Sequence, residues 1–310
     1  MKWKLKALVQ RLVARLPEHM SLPAYYFLQR RFGGLGRVDH LHTLSQGRRI
    51  LDRIVAQKRP IASRVFLEVG TGRALNTPIT LWLCGAGEVI TVDLNPYLQE
   101  AMVFELIGYI RCHREETCQS LKPYADEPGF RARLHRLLSS EGNLSRLLAM
   151  MNVRYLAPAD AAALPLPSES IDYHVSSAVF EHVPPDALER ILAEGKRLLR
   201  DGGLFVHGIS LSDHFSHSDN SISSINFLQF TEDEWAYYAG NRFMYHNRLR
   251  IDDYLALFER VGIAIVSVTS TLDDRAAEEL RKGFPLDGRF KNKSIEVNAT
   301  NGASLVGASV

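Results

Sequence analysis

The stretch Leu67-Glu68-Val69-Gly70-Thr71-Gly72-Arg73 decides the fold. From Arg64 to Val69 the chain is a short apolar run closed by Gly70, the signature of a strand buried on both faces of a parallel sheet. Beyond the glycines the pattern turns helical, with a helix expected to begin near Asn76. Glycines at such a strand-to-helix turn let a ligand approach the backbone, and the helix N-terminus behind them favours negative charge. The third glycine of a dinucleotide fingerprint would fall at Leu75, which weakens a pyrophosphate reading. An acidic residue, Glu68, stands two positions ahead of the first glycine instead.

A second apolar run, Glu88 to Val92, ends at Asp93, twenty-one residues beyond Gly72. A carboxylate at that strand tip can accept both hydroxyls of a ribose, whereas alone it would more simply cap a helix. Glycine turn and carboxylate together indicate an adenosine-containing ligand. Further strands are expected at 152–156, 171–177, 203–209 and 263–268, with a terminal apolar run at 303–310. A helix with Leu188, Ile191, Leu192, Leu198 and Leu199 on one face separates the fourth and fifth, and Asp201-Gly202-Gly203 supplies its left-handed stop. Strands alternating with helices define an α/β, doubly wound, Rossmann-like and mostly parallel sheet.

Four elements in order carry a family resemblance. Glu68-Val69-Gly70-Thr71-Gly72 and Val92-Asp93-Leu94 are followed by Pro158-Ala159-Asp160-Ala161 with Leu164 to Asp172. Then Ser176 to Val183 precedes Leu198-Leu199-Arg200-Asp201-Gly202-Gly203. This pattern, over about residues 61–210, resembles the class I S-adenosylmethionine-dependent methyltransferases, in particular small-molecule members of the type 11 kind. The resemblance implies seven strands with an antiparallel last strand inserted between the fifth and sixth, and S-adenosyl-L-methionine as cofactor. It implies that Glu68, Gly70, Thr71 and Gly72 shape the methionine end, and that Asp93 with Leu94 holds the ribose. By the same resemblance Asp160 and Ala161 hold the adenine, and Ser177 lines the floor near the sulfonium. Thr71 and the Arg73 after it depart from the usual small residues there.

Residues 1–60 read as an N-terminal helical segment, and 61–310 as the methyltransferase domain. Inside the latter, 98–151 is a helical insertion, and 210–260 is an aromatic-rich segment suited to a substrate wall or lid. An alcohol acceptor needs a base near the transition state. After the fifth strand come Asp213-His214 and His217-Ser218-Asp219, so His214 is the first candidate base, oriented by Asp213 or Asp219, and His182 the second. Satisfied core histidines are the alternative. No tight metal-ligand spacing stands out, so no metal is expected. Tyr245, Asn247 and Arg248 are candidate acceptor contacts, a guanidinium fork suiting bidentate oxygens.

The expected reaction is methyl transfer to an O or N acceptor on a small or medium-sized molecule: a sugar, glycan or secondary metabolite. The alternatives are a nicotinamide-dependent oxidoreductase and a non-catalytic scaffold that keeps the cofactor fold. The 310 residues are 46% apolar and 23% charged, which excludes a disordered or fibrous chain, and a net charge of +2 argues against a nucleic-acid partner. Three cysteines build no disulfide framework and fit a reducing cytoplasm. No run is long enough to span a bilayer, and the N-terminus lacks the continuous apolar core of a secretory signal. Leu5, Leu8, Val9, Leu12, Val13 and Leu16 nevertheless follow helical spacing with lysines and arginines between them. A basic amphipathic helix over residues 2–16 suits peripheral contact with the inner face of a membrane, or packing on its own domain.

Overall fold

The computed structural model describes residues 2–140 and 142–309. Three helices come first: α1 (Trp3–Ala14), α2 (Glu18–Phe32) and α3 (His40–Ala56). The Rossmann-like part opens with β1 (Val65–Val69), α4 (Asn76–Leu83) and β2 (Glu88–Val92). Then α5 (Glu100–Cys112), α6 (Arg114–Ser120), α7 (Pro128–Leu138) and α8 (Leu144–Met151) precede β3 (Val153–Leu156) and β4 (Ile171–Ser177). After them come α9 (Pro185–Leu198), β5 (Leu199–Ser210), α10 (Glu232–Ala239), α11 (Ile251–Val261), β6 (Ile263–Leu272), α12 (Asp274–Arg281) and β7 (Thr300–Ser309). Val310, included in the expected terminal run, lies outside the described residues.

The seven strands lie in the order β3-β2-β1-β4-β5-β7-β6. The β1–β5 pairings are parallel, while β7 runs antiparallel to both neighbours. Strand order reverses between β1 and β4, and open α/β sheets bind ligands in the crevice at such a switch point. One sheet face packs on α3, α4, α5, α7 and α8 through Leu51, Ile79, Leu106, Ile110, Leu134 and Leu147. The other packs on α9 and α11 through Leu188, Leu192, Leu257 and Phe258. The 98–151 insertion is therefore part of a core layer, its alternating turns of leucine and isoleucine buried on that face.

Two details differ from the sequence reading. Gly202 has φ +72° as expected of a stop, but α9 already ends at Leu198, and the glycine lies inside β5, whose register against β4 shifts near Ile171 and Tyr173. The apolar stripe of α1 also faces the other way. Trp3, Ala7 and Gln10 are buried, while Leu5, Leu8 and Leu12 are 53%, 45% and 53% exposed. Trp3 wins because it fills a gap among Phe215, Phe230 and Tyr238, with ring centroids 4.8–5.8 Å away; the backbone N–H of the same residue donates to Asp219 at 2.8 Å. A large aromatic in a ready socket outweighs several leucines with nothing to cover them.

Candidate active site

At the tips of β1, β2 and β4 a cleft of about 1370 Å³ opens along the switch point. Its first half is built by backbone turns. Gly70 (φ +89°) donates its N–H to the Val92 carbonyl at 2.8 Å, and an added Cβ would lie 2.4 Å from Val179. Gly72 (φ +69°) donates its N–H to Asp93 at 2.8 Å. The turn is thus tied to the second strand tip through the carboxylate that the sequence singles out. The Asp93 carbonyl accepts the Ala159 N–H at 3.0 Å, which brings Asp160 and Ala161 onto the same wall. Leu94 stands exposed at the rim and Ser177 on the floor. Below the turn, Thr71 and Thr91 hydroxyls lie 2.6 Å apart, and Thr91 donates to Glu68 at 2.5 Å. Burial pushes the Glu68 carboxyl up to about 7, and burial also pushes Asp93 up to about 6 against its backbone hydrogen bonds.

The second half is a wall of histidines. Ala178 adopts φ +54°, turning the chain sharply after β4 into the short helical turn Phe180–His182. His182 and His214 both line the cleft, with ring centroids 4.8 Å apart; His217 and His246 lie 5.0 and 5.2 Å from His214. Burial holds His214 down to about 3, helped by the neighbouring imidazoles and Lys6. It is a neutral ring at pH 7. Its Nε2 lies 3.2 Å from the Ser210 hydroxyl and 4.0 Å from Glu181. Glu181 is completely buried, which pushes its carboxyl up to about 8.

Neither expected orienting carboxylate reaches His214. Asp213 accepts from the Phe215 N–H and the Asn226 amide, both at 2.8 Å, and Asp219 is taken by Trp3 and Ser221. The nearby carboxyl is Glu181, which sequence reasoning overlooked although it is an acid set in the apolar run Val179 to Val183.

Two of the three expected acceptor contacts are also corrected. Tyr245 lines the cleft, but Asn247 and Arg248 are buried away from it. The Asn247 amide donates to the Phe180 and Val183 carbonyls at 2.8 and 2.9 Å, clamping the turn that carries Glu181 and His182. Arg248 donates to the Phe227 and Phe230 carbonyls and pairs with Glu232 at 2.6 Å. Loop carbonyls have no strand partners there, and a buried guanidinium supplies up to five donors at once. The other polar groups lining the cleft include Gln46, Arg49, Arg53, Ser210, Arg242 and Ser304.

Against known proteins, the methyltransferase-domain family matches residues 136–207, which run from α7 through β3 and β4 into β5. That stretch is similar to a methyltransferase domain, and the strand order is the one the sequence resemblance implies. No curated protein matches it. Among solved structures it is similar to geranyl diphosphate C-methyltransferase from Streptomyces coelicolor A3(2), at 12% identity and TM-score 0.49 over 96% of this chain and 88% of that one. It is also similar to a TehB-like S-adenosylmethionine-dependent methyltransferase from Corynebacterium glutamicum (16%, 0.43, over 93% and 98%). A third is magnesium protoporphyrin IX methyltransferase from Synechocystis PCC 6803 (12%, 0.44, over 88% and 84%). The family match and the strand order carry the resemblance, not these distant likenesses.

The resemblance implies S-adenosylmethionine as cofactor, and the first half of the cleft has polar groups that fit it. A Cβ on Gly72 would meet nothing within 4 Å, so the turn leaves room against its backbone. The buried Asn76 side-chain oxygen, at the start of α4, has no partner. The Asp93 carboxylate, half-buried on the cleft wall, accepts the Gly72 N–H and faces the cleft beside it.

Proposed function

We propose that this chain is a methyltransferase that alkylates an oxygen or nitrogen of a small or medium-sized, hydroxyl-rich molecule such as a sugar, a glycan or a secondary metabolite. One observation carries the reading. The cleft that holds the glycine turn and Asp93 continues, without a break, into a wall of neutral imidazoles with arginine, glutamine and serine side chains around it. The cofactor supplies a sulfonium-borne methyl for in-line displacement. Catalysis by this chain then consists of aligning the acceptor and drawing off its proton. Glu68, Gly70, Thr71 and Gly72 would frame the amino-acid end, Asp93 and Leu94 the ribose, Asp160 and Ala161 the adenine, and Ser177 the floor. His214, with His182 beside it, is the point at which the acceptor proton leaves, and Tyr245 with Arg242 borders the acceptor.

The test is incubation of the protein with S-adenosylmethionine and a panel of free sugars, nucleotide sugars, phenols and amines, scored by mass spectrometry for a methylated product. A product from one class, absent in His214→Ala, supports the reading; methylation at carbon alone overturns it. Calorimetry with NADH as control disposes of the oxidoreductase alternative, and retained partner binding without cofactor would favour the scaffold.

A peripheral membrane contact is the second proposal, favoured by the outward leucines of α1. Leu5, Leu8, Leu12 and Leu16 continue to Met20 as exposed apolar side chains, with Lys2, Lys4 and Arg15 exposed beside them. An apolar face fringed with cations suits an anionic lipid surface. No helix among the described residues is long and apolar enough to cross a membrane.

A further inference from the structure

Glu181, His182 and His214 come from two segments well separated along the chain, which is why no ligand spacing shows in the sequence. In space each offers one ligand atom, and these atoms lie within 4.8 Å of one another. The carboxyl among them is electrostatically unfinished. Glu181 Oε1 accepts the Ser210 N–H at 3.3 Å, but Oε2 is buried with no hydrogen-bond partner. Among the described residues its ion-pair neighbour is an imidazole, His214, at 4.0 Å, and no lysine or arginine reaches it. A buried carboxyl left in this state is costly unless a cation or a proton completes it.

The two rings are oriented for the cation. His182 Nδ1 lies 2.7 Å from the Tyr245 carbonyl, an acceptor only, so that nitrogen bears the hydrogen and Nε2 carries the lone pair. His214 Nε2 faces Ser210, whose hydroxyl also has Ser212 at 3.1 Å to turn to. Asn247 pins the Phe180–His182 turn from behind through side-chain and main-chain bonds, including its N–H to the Glu181 carbonyl at 2.9 Å.

We propose that Glu181, His182 and His214 bind one divalent transition-metal ion on the acceptor side of the cleft. Two imidazoles and one carboxylate suit zinc, cobalt, iron(II) or manganese rather than calcium or magnesium, which take mainly oxygen. Tetrahedral coordination at about 2.0–2.1 Å draws ligand atoms to about 3.3 Å apart. The gathering falls to His182, whose side chain is exposed at the cleft mouth. Three protein ligands leave a coordination position open to the cleft. The role of that position rests on the O- or N-acceptor reading. With the His214 lone pair on the metal, the ion would bind the acceptor atom and lower its pKa so that the proton leaves to solvent through the open cleft, in place of direct capture by His214. The site itself does not depend on that reading.

The experiment is titration of chelator-stripped protein with Co²⁺ and Zn²⁺ by calorimetry, with Co²⁺ followed also by visible absorption. Expected are one equivalent bound, a visible band of a low-symmetry four- or five-coordinate ion, and at least tenfold weaker binding in Glu181→Gln and in His182→Ala. His182→Ala removes an exposed ring, so it remains informative if Glu181→Gln fails to fold by circular dichroism. No saturable equivalent, or binding unchanged in His182→Ala, overturns the site. S-adenosylhomocysteine affinity and methylated product, measured on the same samples, separate the two ideas. Metal binding with no O- or N-methyl product leaves the site standing and removes the acceptor reading. An O- or N-methyl product formed equally well by protein that binds no metal does the reverse.

Discussion

The two halves of the cleft each bury carboxyl groups, and they handle them differently. In the glycine turn Glu68 is met by the Thr91 hydroxyl and Asp93 by the Gly72 N–H. In the histidine wall Glu181 keeps an oxygen with no partner, among imidazoles that burial holds neutral. In the first half both carboxyls already have partners before a ligand arrives. The second is left unsatisfied, the condition expected where a proton or a cation changes hands.

The largest effect that would break this contrast is expected at Asp93. Asp93→Ala removes a charged acceptor worth about 1.5–3 kcal/mol per hydrogen bond, so S-adenosylhomocysteine affinity should fall about a hundredfold by calorimetry. An unchanged affinity would mean that the first half is not the cofactor's. Of similar size is the effect of His214→Ala, expected to lower turnover about a hundredfold while cofactor affinity stays within twofold. A loss of both would erase the division between the halves.

A third comparison uses histidines that face no ligand. His174 and His207 lie 3.2 Å apart inside the sheet with Ser176 at 2.8 Å from His207, all fully buried. Burial holds His174 down to about 3. Its folded pKa lies below its unfolded value of about 6.5, so its contribution to stability is full above that value and is lost as pH falls toward the folded one. Between pH 6.5 and 5 the loss is about 1.5 kcal/mol, measurable by urea unfolding against His174→Leu; parallel curves for the two proteins would show that the ring is not held neutral. The smallest effect concerns α1. Leu8→Glu with Leu12→Glu should weaken co-sedimentation with anionic vesicles about tenfold, since leucines only partly sunk among the headgroups keep a fraction of the about 1.5–3 kcal/mol each contributes when fully buried. Equal sedimentation would leave the helix as packing alone.

The difference between the halves also explains what could be read from the sequence. β1, β2 and their glycine turn are local: an apolar run, two glycines and an aspartate at fixed distance state the geometry by themselves. The histidine wall is not local. Glu181 looks like one acid in an apolar run until the 178–183 turn places it against His214. Asn247 and Arg248 look like ligand-binding residues because their donors are typical of that role, yet unpaired loop carbonyls claim those donors first. In α1 the leucine spacing was legible and its direction was not, because the socket for Trp3 is made from residues 215–238.

β7 lies between β5 and β6, with Phe205 opposite Gly307 and Ile265 opposite the same glycine from the other side. It is nonetheless the last of the seven strands to leave the ribosome. Until it emerges, β5 and β6 each present a bare edge, and the sheet's seam stays open to any extended segment that passes. Closing it requires a contact spanning about a hundred residues. A nascent chain stalled after α12 would therefore expose the place where a chaperone, or another copy of the same chain, can be sewn in.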